Sequence, residues 1–211
     1  AQRGPLWGIP IVIKANTSIA GNTANTLGAA IYNVRSLPVV VNSIVWANSG
    51  INQVLSLGGA VTFRYSDVEG SGGSGDWNSI IGNDGGNNLD VDPLLLSVAN
   101  GDVHLRPGSP VIDIGDNAAP GLPPTDFDGE NRVMDGAVDI GADEYVPTLE
   151  ELRNLIVDLD GTGQIDEASA SVLLAFVDDA RYDELMKLKA KCTLTKWGDI
   201  AGAKAPQLHG K

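Results

Sequence analysis

Short apolar runs alternate with polar turns through the first 90 residues, and one unit of this pattern recurs. The stretch "NSIVWAN" (42–48) aligns without a gap with "YSDVEGS" (65–71), 23 positions later. The stretch "NTSIAGN" (16–22) aligns with the same unit from 26 positions earlier. Such self-similarity predicts copies of one small structural unit that stack on each other.

The aligned copies share an inside column and an outside column. Ile19, Val45 and Val68 fall in one column, while Trp46 and Glu69 fall in the next. Successive side chains of a strand point to opposite faces. The pattern therefore predicts stacked strands with an aliphatic inner face and a variable outer face.

A period of 20–30 residues with strand-like segments is typical of solenoids, and this one favours a parallel β-helix. An antiparallel sandwich with accidental similarity is the alternative. The 26 glycines and 5% aromatic residues also suit short strands joined by tight turns.

Charge and hydropathy exclude some classes of function. The net charge of -13 argues against a nucleic-acid partner, which a basic surface would recognise. No apolar run is long enough to predict a membrane span. All lysines except Lys14 follow Glu150, and this shift in composition predicts a module boundary near Pro147.

Several stretches between residues 42 and 145 resemble the end of bacterial right-handed β-helix proteins that carry a choice-of-anchor Q domain. They include "NLDVDPLL", "NGDVHLRPGSPVIDIGDNAAP", "TDFDGENRV" and "VDIGADEY". The resemblance implies a right-handed parallel β-helix (1–88), its last coils with an irregular C-terminal cap (89–147), and then a small helical tail (148–211). It also implies a secreted or cell-surface bacterial protein associated with a polysaccharide or surface glycan.

Three residues are candidates for catalysis on the predicted outer face. Asp67 and Glu69 stand two apart on a strand, so their carboxylates would lie about 7 Å apart on one face. Such a pair suits glycoside hydrolysis or a calcium ion, and a lyase would need a base such as Arg64 or Arg35. A solvated outer face without chemistry is the simpler interpretation.

Other side chains point to binding or to turns. Trp46 on the outer face could stack on a sugar ring, or pack against a loop. His104 and His209 are far from each other and from the single cysteine, so the sequence predicts no zinc set. The acids of "DFDGEN" read as turn formers rather than as a metal loop.

The stretch "DLDGTGQIDEAS" (158–169) matches most of a calcium-binding EF-hand loop. The predicted ligands are Asp158, Asp160, Thr162, the Gln164 carbonyl, Asp166 and Ser169. Ser169 stands where a bidentate carboxylate normally closes the coordination shell, so the sequence predicts weak Ca²⁺ binding. A metal-free helix-turn-helix is the alternative.

The residues around this loop resemble a dockerin repeat, a calcium-stabilised helical module that docks onto cohesins. A dockerin has two loops, and residues 170–211 contain no second one, which argues against a cohesin partner. We expect a secreted or cell-surface module, non-catalytic in this fragment, with an anchoring or assembly tail. The alternatives are a fragment of a polysaccharide lyase or glycoside hydrolase, and an adhesin-like passenger.

Overall fold

The computed structural model describes residues 16–178 apart from residues 26 and 135. The chain divides into two compact units, Ala1–Tyr145 and Val146–Lys211. Within the described residues, strands lie in the first unit and α-helices in the second. Neither helix is long and apolar enough to span a membrane.

The described part of the first unit contains ten short strands. They are β1 (Ser18–Ala20), β2 (Ile31–Val34), β3 (Val39–Val41), β4 (Ile44–Trp46), β5 (Val54–Leu57), β6 (Thr62–Arg64), β7 (Asp67–Val68), β8 (Asn83–Asp84), β9 (Leu95–Ser97) and β10 (Asp102–Leu105). Asn42, Ala47 and Tyr65, which directly follow β3, β4 and β6, have positive φ. The chain therefore turns after every two to four strand residues.

The repeat predicts the strand register correctly. β1, β4 and β7 pair in parallel, with Ile19 opposite Val45 and Val45 opposite Val68. β2 pairs with β5 and β3 with β6, both in parallel and at the predicted offset of 23 residues, as in Ile31 opposite Val54. The predicted inside column is thus confirmed.

The prediction of a right-handed parallel β-helix is wrong. The parallel strands form separate small sheets of two or three strands, and β9 pairs with β10 in antiparallel fashion. The repeat stops near β8, because the glycine-rich stretch that follows β7 forms turns and the next strands reverse their pairing. Two matched copies and part of a third do not extend into a solenoid.

Two hydrophobic cores lie on opposite faces of β4. Val45 belongs to a core with Val40, Phe63 and Val68, whereas Ile44 belongs to another core. The second core consists of Ile44, Leu95, Leu105, Val111 and Ile140. Residues after β8 therefore cover the face that the sequence places outside.

Two helices, α1 (Leu149–Gly161) and α2 (Glu167–Asp178), form the described part of the second unit. Thr148 begins α1 with a capping box, in which its hydroxyl accepts the Glu151 N–H and the Glu151 carboxylate accepts the Thr148 N–H. The buried residues of the pair recur at helical spacing: Leu152, Ile156, Leu159, Ile165, Ala170 and Leu173. The helical pattern predicted after residue 147 is present as far as the description extends.

Candidate functional site

His104 lies between two carboxylates at the end of β10. Its Nδ1 is 2.5 Å from Asp102 Oδ1, and its Nε2 is 2.6 Å from Asp128 Oδ2. Asp102 stands two residues earlier on the same strand, so both side chains share one face. The Phe127 ring lies beside the imidazole, with ring centroids 4.9 Å apart.

A single carboxylate shapes the turn that carries Asp128. Asp126 Oδ1 accepts the backbone N–H groups of Asp128, Gly129 and Glu130. Its other oxygen accepts the N–H of Glu144 at 3.0 Å. Asp126 thus folds the turn on itself and attaches it to the segment that contains Asp143.

Asp143 completes a three-member group. Its Oδ2 accepts, at 2.7 Å, the N–H of Leu105, the residue that follows His104 in the chain. One ligand atom each from His104, Asp128 and Asp143 lies within 4.8 Å of the other two. Asp143 is buried, whereas His104 and Asp128 reach solvent. The arrangement can hold a divalent cation near the surface.

In the metal-free protein, His104 and its neighbouring carboxylates stabilise each other's charged forms. Hydrogen bonds to Asp102 and Asp128 raise the pKa of His104 to about 9. The hydrogen bond to His104 lowers the pKa of Asp102, while burial raises the pKa of Asp143. At neutral pH a protonated imidazole therefore bridges two carboxylates.

A buried ion pair holds the chain segment next to the His104 group in place. Arg132 Nη2 is 3.2 Å from Glu144 Oε1, and both side chains are 1% exposed. The guanidinium also donates to the carbonyls of Asp139, Gly141 and Ala142. Burial lowers the pKa of Arg132 and raises that of Glu144, against their mutual attraction. Arg132 thereby fixes the chain between Asp139 and Glu144, next to Asp143.

The side chains of the three predicted catalytic residues all contact other parts of the first unit. Asp67 is fully buried, and its Oδ1 accepts the Val91 N–H at 3.1 Å. Glu69 Oε2 accepts the Ala47 N–H at 2.7 Å. Arg64 Nη2 lies 3.8 Å from Asp116 Oδ2. The structure therefore does not present Asp67 to a polysaccharide, and a catalytic role for the three residues has no support from their contacts.

Trp46, the predicted sugar-stacking residue, is half-buried. Its side chain packs against the second core, on the face shared with Ile44. Only part of the indole surface is free to contact a ligand. Its role in glycan binding stays a prediction.

The predicted calcium ligands lie at the junction of α1 and α2. Asp158 and Asp160 stand on the last turn of α1, and the Thr162 hydroxyl donates to the Asp158 carbonyl at 2.8 Å. Asp166 Oδ1 accepts the Ser169 N–H at 2.7 Å and so begins α2. Gln164 is exposed and Ser169 is buried. Among the described residues, the group of three ligating side chains that converges is the one around His104, not this one.

The His104 group was not predicted from the sequence, because the usual signal of a zinc site is a set of neighbouring histidines and cysteines. His209 lies outside the described residues. The partners of His104 are aspartates, and one of them belongs to the "DFDGEN" turn that was assigned to turn formation alone. The alternation of Asp102 and His104 on one strand face was the available signal.

No family model matches the chain, and no curated protein or solved structure matches it significantly. The resemblances to choice-of-anchor Q domains and to dockerins therefore stay predictions.

Proposed function

We propose that the chain is a non-catalytic extracellular module whose helical unit is an anchoring or assembly segment ordered by calcium. The observation that carries the proposal is the junction of α1 and α2, where two helices in contact are joined by a loop of oxygen donors. The resemblance of this loop to a dockerin repeat supports the same function.

The donor set at this junction fits calcium. It comprises carboxylates of Asp158, Asp160 and Asp166, the Thr162 hydroxyl and the Gln164 carbonyl. Calcium prefers six to eight oxygen ligands, and water would supply the remainder. All five residues are exposed and accessible to a cation.

The backbone already has two features of such a loop. Gly163 has a φ of +71°, the left-handed conformation that a sharp turn requires and that glycine adopts without strain. Ile165, two residues later, is buried between the helices. Both features position the loop without a metal.

Calcium binding would change the end of α1. Asp158 and Asp160 stand two positions apart on a regular helical turn, where side chains do not face each other, and the Thr162 hydroxyl donates to the Asp158 carbonyl. The ion would have to open this last turn, at a cost that weakens binding. Weak binding suits an extracellular module, since calcium is plentiful there.

The first unit would then serve as a scaffold. Its buried carboxylates hold backbone segments together: Asp67 accepts the Val91 N–H, and Asp139 accepts the N–H groups of Asp113 and Tyr145. These contacts give the acids a structural use, which supports a non-catalytic function.

Calorimetric titration of the full chain with Ca²⁺ tests the proposal. We expect saturable binding in the wild type that is lost in Asp158→Ala and Asp160→Ala. Glu150→Gln is the matched control, because it removes an exposed acidic charge from the first turn of α1, outside the loop. Absence of binding, or equal binding by all variants, would overturn the proposal.

A further inference from the structure

We propose that His104 Nε2, Asp128 and Asp143 form a binding site for a zinc-type divalent transition-metal ion, with Asp102 orienting the imidazole. The site lies in the first unit and is independent of the calcium loop.

Asp102 has the geometry of a residue that prepares a metal ligand. Its Oδ1 lies 2.5 Å from His104 Nδ1, and its position on the same strand keeps the ring facing one way. Metal-binding histidines usually donate the second ring N–H to a carboxylate or carbonyl, which fixes the tautomer. When Nε2 loses its proton, the ring would keep the proton on Nδ1 and turn the Nε2 lone pair toward Asp128 and Asp143.

The three ligand atoms are close enough to share one ion after a small movement. His104 Nε2 and Asp128 Oδ2 are 2.6 Å apart, and all three ligand atoms lie within 4.8 Å of each other. A tetrahedral zinc ion with bonds near 2.1 Å separates its ligands by about 3.4 Å. Asp128 therefore has to retreat from the imidazole by about 0.8 Å, and the exposed turn that carries it allows this.

The donor set selects zinc over calcium. Zinc and related ions bind imidazole nitrogen together with carboxylate oxygen in sites of three protein ligands and a water, whereas Ca²⁺ takes six to eight oxygen ligands. The side chains of His104 and Asp128 are 43% and 39% exposed. Water can thus enter as the fourth ligand.

Zinc binding exchanges one proton for one divalent ion, so the site gains one positive charge beside its two carboxylates. Without metal, a proton on Nε2 is shared with Asp128. When Zn²⁺ binds, that proton leaves to solvent and the metal takes its place between the nitrogen and the two carboxylates. The ion then connects β10 with the turn at Asp128 and with the segment at Asp143, so it should stabilise the first unit by mass action.

The test uses the untagged full chain, freed of metal with a chelator and titrated with ZnCl₂ by calorimetry. We expect one zinc equivalent in the first unit, lost in His104→Gln and in the paired variant Asp128→Asn/Asp143→Asn. Asp102→Asn should retain binding with an affinity about 10- to 100-fold lower, as expected for a residue that orients a ligand. Asp76→Asn is the matched control, because Asp76 is exposed and lies outside the group.

A second measurement detects zinc binding without any change to the ligands of the site. The ¹⁵N resonances of the imidazoles should show that Zn²⁺ shifts Nε2 of His104 while Nδ1 stays protonated, and His209→Gln assigns the signals. The proposal is overturned if zinc leaves the His104 signals unchanged, if His104→Gln binds as tightly as wild type, or if Ca²⁺ competes equally for the site.

Discussion

Ile44 and Asp67 face each other across β4 and β7, in the same column of the parallel sheet. Both side chains are fully buried, and Ile44 is part of the second core. The carboxyl group of Asp67 thus occupies the position next to an aliphatic side chain in the buried column. One of its oxygens accepts the Val91 N–H, and the other is buried with no hydrogen-bond partner among the described residues. A carboxyl in this environment is more stable when it is neutral.

Asp67 should make the protein less stable as the pH rises. Burial, followed by the charges of Asp90, Asp92 and Glu69, raises its pKa from 3.8 to about 7. Between these values the unfolded chain loses the proton and the folded chain keeps it, so the free energy of unfolding falls as the pH rises. The full effect is on the order of 4 kcal/mol.

Urea unfolding of wild type and Asp67→Asn at pH 5 and pH 8 measures this effect. The variant keeps an acceptor for the Val91 N–H but cannot ionise, so its stability should change less between the two pH values. Other buried acids titrate in both proteins and cancel in the difference. An Asp67→Asn protein with the same pH dependence as wild type would contradict the assignment. Asp76→Asn, at an exposed site, serves as the control.

Val45→Asp should unfold the first unit or destabilise it by several kcal/mol. Val45 is fully buried between Ile19 and Val68, and the new carboxylate would have no charged partner in that core. Val39→Asp is the control, because Val39 is 51% exposed on β3 and should change stability by less than about 0.5 kcal/mol. Similar urea midpoints for the two variants would show that the column is not a core.

Arg132→Met should destabilise the first unit by about 3–5 kcal/mol, the usual cost of removing one partner of a buried ion pair. The substitution leaves Glu144 without its cation and removes donors from three backbone carbonyls. Arg106→Met is the control, since Arg106 is exposed and donates to a single carbonyl. A cost below about 1 kcal/mol in urea unfolding would mean that the pair contributes little.

Ser169→Glu should tighten calcium binding by the full chain. It supplies the carboxylate that normally closes an EF-hand loop at this position. Calorimetry of the two proteins gives the ratio of affinities. Unchanged or weaker binding would show that the loop is not aligned as an EF-hand.

The strand register could be predicted from the sequence where the contacts between strands repeat along the chain. Ile19, Val45 and Val68 could be placed in one column because strand alternation and a constant offset determine their register. The end of the repeat was not predicted, since the pairing of β9 with β10 depends on tertiary contacts rather than on local pattern.

The burial of Asp67 and the surroundings of His104 could not be read from the sequence. Leu95, Leu105 and Ile140 cover the face that carries Asp67, and they come from distant segments. His104 meets Asp128 across 24 positions, through a turn shaped by the hydrogen bonds of Asp126. In both cases, the local alternation of side chains does not indicate which distant segment of the chain packs against the strand.

The most direct test of the proposed function follows the backbone amide resonances of the full chain by NMR while Ca²⁺ is added. We expect saturable changes confined to the loop from Asp158 to Ser169 and the adjoining turns of α1 and α2, with a dissociation constant on the order of 10⁻⁴ to 10⁻³ M. The last turn of α1 should lose its helical shifts as the ion binds. Resonances that do not change, or that change only around His104, would contradict a calcium-ordered helical unit.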